Sequence, residues 1–98
     1  MSVYVDPLLD HGGSSSFRWT RSCHMYADTL DELHAMADAI GMRREWFQNK
    51  PSLPHYDLVP ARRAKAMKLG AIEHSMRQMV DFMRNNRMGF MSLGKVNK

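Results

Sequence analysis

Apolar and polar residues first alternate along the chain and then fall into helical spacing, and the changes of period mark out its elements. Val3 and Val5 alternate with Tyr4 and Asp6, which predicts a short strand over 2–6 ended by Pro7. Residues 7–16, with Gly12, Gly13 and three consecutive serines, read as a loop. Alternation resumes over 17–27. Phe17, Trp19, Cys23, Met25 and Ala27 fall on one face; Arg18, Thr20, Ser22, His24 and Tyr26 fall on the other, and Asp28 continues that second column. Successive side chains of a strand point to opposite faces, so the first set packs and the second lines water or a cleft. Cys23 then faces the core, and His24, Tyr26 and Asp28 form a polar column.

The period next lengthens. Thr29 and Glu32 have capping-box spacing, with Asp28 as the alternative cap, and Leu30, Leu33, Ala37 and Ile40 share one helical face. This predicts a helix over 29–40, ended by Gly41 in the left-handed conformation. His34 sits at the edge of the apolar stripe, a place for a histidine satisfied by one hydrogen bond rather than for a ligand. Residues 43–48 predict a short strand or extended turn in which Trp46 and Phe47 point opposite ways, one to the core and one towards a ligand. Pro51 and Pro54 make 49–54 a loop.

Residues 55–58 predict a strand with His55 and Asp57 on one face, and Pro60 opens a basic helix over 60–69 that turns Ala64 and Met67 to the core. A short strand or turn over 71–74 leads to a helix over 76–86. Its apolar stripe is Ile72, Met76, Met79, Val80 and Met83, and Ser75 with Gln78 offers a second capping box. The predicted fold is α/β of the α+β kind: a single compact domain over 1–86 with a small mixed sheet and three helices. A C-terminal tail over 87–98 follows as an interaction segment.

Composition adds three constraints. A chain of 98 residues holds one modest core. Its net charge of +4 is uneven: residues 1–42 carry two Lys/Arg against six Asp/Glu, and residues 43–98 twelve against four. A basic half suits a phosphate-bearing partner or nucleic acid, or is a solvated face. Cys23 is the sole cysteine, which precludes an intrachain disulfide and fits a cytoplasmic setting. No secretory signal and no apolar run long enough for a membrane span is evident. Ten methionines, several in the C-terminal third together with Phe90 and Met91, predict a homo-oligomer formed through that third.

The segments YVD, HMYADTLDELHAMADAIG, REWFQ, HYDL and RRAKAMKLGA together resemble a small family of bacterial and phage proteins, the domain of unknown function numbered four-zero-three-one. The resemblance covers residues 3–74. It implies a compact mixed α/β domain, often phage-encoded and then acting in the host cytoplasm, and it carries no assigned activity. Asp6, His24, Asp28, Trp46, His55, Asp57 and Arg63 stand at positions matching the family's motifs. Val59 departs from the hydroxyl cap expected before the second helix, and the methionine-rich segment after His74 lies outside the pattern.

Three readings of the chemistry stand. The first is binding of a nucleotide or other phosphorylated ligand, such as the sequestering of a host signalling nucleotide. In it Arg62 and Arg63 meet phosphate near a helix start, Trp46 or Tyr56 stacks a base, and Asp6, His24, Asp28, His55 and Asp57 fix sugar and base edges. The Gly/Ser loop lacks the lysine of a P-loop and adds little. The second reading is metal-dependent phosphoester hydrolysis, as in a nuclease. Here Asp6, His24, His55 and Asp57 hold a divalent metal, although no established ligand spacing is present. The third is non-specific nucleic-acid binding by the basic half. Against all three stands the plain alternative that His and Asp only cap helices and close internal hydrogen bonds. Since His24–Asp28 and His55–Asp57 each precede a helix, both pairs are expected to gather at one sheet edge beside Arg63, with Trp46 as a wall.

Overall fold

A computed structural model describes residues 2–10 and 21–85. The Gly/Ser loop, the first positions of the long alternating segment and the C-terminal tail lie outside the described residues.

Five short strands form one mixed sheet: β1 (Val3–Val5), β2 (Leu9–Asp10), β3 (Arg21–Ala27), β4 (Tyr56–Leu58) and β5 (Ile72–Glu73). Three helices accompany them: α1 (Leu30–Ala39), α2 (Pro60–Lys68) and α3 (Met76–Asn85). The architecture is α+β, as the changes of period predict. β3 is the hub. It pairs antiparallel with β1, β2 and β4, while β5 adds to β1 in parallel. β2 emerges from what reads as loop in the sequence, because Leu9 and Asp10 pair with Ser22 and Arg21.

The register sorts the side chains by face. Val5 opposes Met25 and Met25 opposes Tyr56, so these three share one face with Cys23 and Leu58. That face receives α1, whose His34 bonds to Tyr56, and α2, whose Arg63 reaches Glu73. Leu33, Ala37, Ile40 and Ala66 complete this core. Ala66 rather than Ala64 is the buried alanine of α2. Met67 packs against the core as expected; few apolar positions mark the phase of so polar a helix, which leaves Ala64 exposed.

The other face carries Tyr4, His24, Tyr26 and Asp57. α3 covers only part of it: Phe82 packs on the Tyr4 and Tyr26 rings at 5.5 and 5.0 Å. Met79 and Phe82 are buried there, whereas Ile72 and Met76 stay exposed.

Local signals explain the helix ends. The Thr29 hydroxyl accepts from the Glu32 backbone N–H at 3.2 Å. Ser75 and Gln78 form the reciprocal box, with Gln78 N–H donating to Ser75 Oγ at 3.1 Å and Ser75 N–H to Gln78 Oε1 at 2.7 Å. Gly41 takes φ of 82°, which a side chain would strain, and turns the chain out of α1. Val59 precedes α2 without a side-chain cap. Residues 44–46 form a 3-10 turn rather than a strand, and only Gln48 bridges to His55. Among the described residues no helix is long and apolar enough to cross a membrane.

Candidate metal centre

His24 lies on β3 and Asp57 on β4, and the antiparallel register makes them direct cross-strand partners. His55 stands two residues before Asp57, so its side chain returns to the same face. The His24 and His55 rings meet edge to face, 4.7 Å between centroids. One nitrogen of each ring and one Asp57 oxygen lie within 4.8 Å of one another.

What each ring presents is decided behind it. His24 Nδ1–H donates to Asp6 Oδ2 at 2.8 Å, and the His24 backbone N–H donates to Asp6 Oδ1 at 2.7 Å. Asp6 is fully buried at the end of β1. His55 Nδ1–H donates to the Leu53 carbonyl at 2.6 Å. A carboxylate and a carbonyl only accept, so both rings carry their proton on Nδ1 and present Nε2 to the cluster. His55 Nε2 faces Asp57 Oδ1 at 3.4 Å. In the neutral ring a lone pair confronts a carboxylate there, an arrangement completed by a shared proton or a cation.

The backbone explains this placement. Gln48 and His55 exchange two backbone hydrogen bonds, 2.9 and 3.0 Å, which close the 49–54 loop as a tight return. Leu53 is buried and anchors the loop, which fixes the carbonyl that holds His55. The Gln48 amide donates to Asp57 Oδ2 and leaves Oδ1 towards the histidines.

The electrostatics match. The hydrogen bond to Asp6 raises the His24 pKa above its ordinary value, against the opposing effect of burial. With the shared proton on His55 Nε2, its hydrogen bond lowers the Asp57 pKa, assisted by Gln48.

Other sequence-predicted residues are placed elsewhere. Asp28 accepts from the Ser2 backbone N–H and the Tyr4 hydroxyl, far along β3 from Asp57. The expected gathering of both helix starts fails because β3 and β4 are antiparallel: α1 leaves one end of the sheet and α2 the other. Tyr56 alternates onto the opposite face and is fully buried, its hydroxyl 2.8 Å from His34 Nδ1. Arg63 is engaged with the Asp6 carbonyl at 3.0 Å and Glu73 at 2.9 Å, so it braces the strand that carries Asp6. Trp46 is 43% exposed, with the Arg62 guanidinium 5.7 Å from its ring centre, while Phe47 packs on His34 and Tyr56. Gln48 and the Leu53 carbonyl are parts of the cluster that sequence reasoning did not select. The two prolines around the loop were the available signal.

A family model described as Protein of unknown function (DUF4031) matches residues 3–86. The match therefore includes α3, which the sequence pattern had left outside the resemblance. No curated protein and no solved structure matches the chain.

Proposed function

The chain belongs to this family of unknown function, and we propose from its site that it is a divalent-metal-dependent hydrolase of phosphoesters. One observation carries the reading: two imidazoles, each oriented by an acceptor on Nδ1, gather with a single carboxylate so that one donor atom of each lies within 4.8 Å of the others. Two histidines and one carboxylate form a ligand set for a first-row divalent ion, with positions left for water and substrate. Ligand bonds of about 2.0–2.2 Å place donors no more than about 4.4 Å apart, so a small rotation of the partly exposed His24 or Asp57 side chain closes the set.

Held by His24, His55 and Asp57, a bound ion would supply Lewis-acid polarisation of a phosphoryl oxygen and would lower the pKa of a coordinated water. Asp6 and the Leu53 carbonyl hold the two rings in register, and Gln48 holds the carboxylate. Water is the proposed nucleophile, and the one thiol faces away from the cluster. Cys23 is buried on the α1 and α2 side, and burial pushes its pKa up to about 12. Attack of water on phosphorus would form one P–O bond and break the ester P–O bond; the leaving oxygen takes up the proton the water loses and departs as the alcohol, so a diester leaves a monoester.

The test uses metal-stripped protein titrated separately with Zn²⁺, Mn²⁺ and Mg²⁺ by calorimetry, then assayed for nitrophenolate release from bis(p-nitrophenyl) phosphate. Saturable binding by one ion, weakened at least about a hundredfold by Asp57→Asn and accompanied by metal-dependent release, is expected. Binding without release from this or a nucleotide ester would overturn hydrolysis and favour ligand sequestration. Absence of binding would overturn the metal centre.

A further inference from the structure

Beside the histidine cluster, at the β4 edge, lies a groove of about 400 Å³ walled by Met42, Trp46, Gln48, Asp57, Val59 and Arg62. Asp57 and Gln48 belong to both places, so the groove adjoins the proposed metal position. Its volume is in the range of small-ligand sites. Two features of its wall bear on a ligand. Trp46 leaves 43% of its surface in water although Phe47 beside it is packed. Arg62 has no carboxylate partner among the described residues; its contacts are the Met42 sulfur at 3.5 Å and the Trp46 ring. Of its neighbours, Arg43 pairs with Glu45 and Arg63 with Glu73.

We infer that this groove seats a nucleoside phosphate, its base against Trp46 and its phosphate between Arg62 and the His24–His55–Asp57 cluster. An indole and a guanidinium form a flat, cationic wall suited to an aromatic ring that carries a nearby anion. Arg62 also lies in the first turn of α2, whose positive end holds no acidic residue and faces the same groove through Val59. Asp57 in the groove lining would repel a phosphate unless a cation intervened. The orientation therefore rests on the metal reading, whereas recognition of the base by Trp46 does not. A free nucleotide and the end of a single strand present the same chemistry.

The experiment separates these elements. Affinities of metal-stripped and Mn²⁺-loaded protein are measured by calorimetry for a nucleoside 5′-monophosphate, ribose 5-phosphate, and a short single-stranded oligonucleotide with a 5′-phosphate. The nucleotide should bind roughly tenfold or more tighter than ribose 5-phosphate, and Trp46→Ala should erase that difference without moving the melting temperature. Arg62→Gln should weaken nucleotide and ribose 5-phosphate alike. A strand that binds no tighter than the mononucleotide assigns the site to free nucleotides; a tighter strand assigns it to chain ends. Equal affinity for nucleotide and ribose 5-phosphate, or indifference to Trp46→Ala, overturns the inference. Base-dependent binding without any metal binding would uphold it while overturning the hydrolytic centre.

Discussion

Two of the histidines on one face of the sheet stand in opposite circumstances. At the β1–β5 end, His74 stacks on Tyr4 at 4.3 Å, meets the Tyr26 hydroxyl at 2.7 Å and lies under Phe82. At the β3–β4 end, His24 bonds to the buried Asp6 carboxylate and meets His55, with no helix described above it. Burial lowers the His74 pKa, whereas the bond to Asp6 raises that of His24. The residue type is the same and the strand geometry is continuous. What differs is the atom behind the ring: a neutral hydroxyl makes an aromatic packing unit, and a carboxylate makes an oriented donor. Asp28 shows the same division, since it is occupied by Tyr4 and Ser2 in the packed end and contributes nothing to the open one.

The widest separation of the two ends comes from Phe82→Ala. Loss of a nearly buried ring costs about 3–5 kcal/mol and should release α3, measured by urea denaturation, while metal affinity at the other end is retained. If metal binding were lost as well, the two ends would be one cooperative unit. Asp6→Asn strikes the open end. It should cost about 1–3 kcal/mol by removing a charged acceptor from two donors, and it should weaken metal binding about 10–100-fold in calorimetry. Ser75→Ala removes the hydroxyl that caps α3 and should cost about 1 kcal/mol, confined to the packed end.

The pH dependence is the finest probe, because the two histidines pull in opposite directions. His74 has a depressed folded pKa, so its contribution is complete above the unfolded value of about 6.5 and is lost as pH falls below it. His24 has a raised folded pKa, so its contribution is complete below about 6.5 and is lost as pH rises through the folded value. His34, held down by burial on the far face, follows His74. Denaturation across pH 5–8 should show His74→Gln losing stability less steeply on acidification than the parent chain. His24→Gln should lose it more steeply.

Much of this was legible beforehand for identifiable reasons. Alternation alone placed His24 and Asp57 on polar faces and Cys23 in the core, because a strand has only two sides. The capping boxes at Thr29 and Ser75 were readable because they are local. Strand direction is not local. Nothing in the periodicity of 21–28 or 55–58 states that the two segments run antiparallel, and that one fact separates Asp28 from the cluster. Tyr56 was misplaced for a related reason: the alternation that joins His55 to Asp57 also sends the residue between them to the opposite face. The Leu53 carbonyl was out of reach because a main-chain oxygen has no sequence signature, and Gln48 because its role depends on a loop closing back on itself.

The position of Cys23 makes it a clock for the opening of the molecule. Burial pushes its pKa up to about 12, so the thiolate is scarce at neutral pH, and the residue is only 2% exposed between β3 and the α1–α2 layer. An aromatic disulfide reagent therefore reacts only during excursions that lift those helices from the central strand. The labelling rate counts such excursions without denaturant, at a residue adjacent to His24. A metal ion or nucleotide that binds the closed form should slow labelling in proportion to its occupancy, so this single thiol can report ligands on the far side of the sheet without touching them.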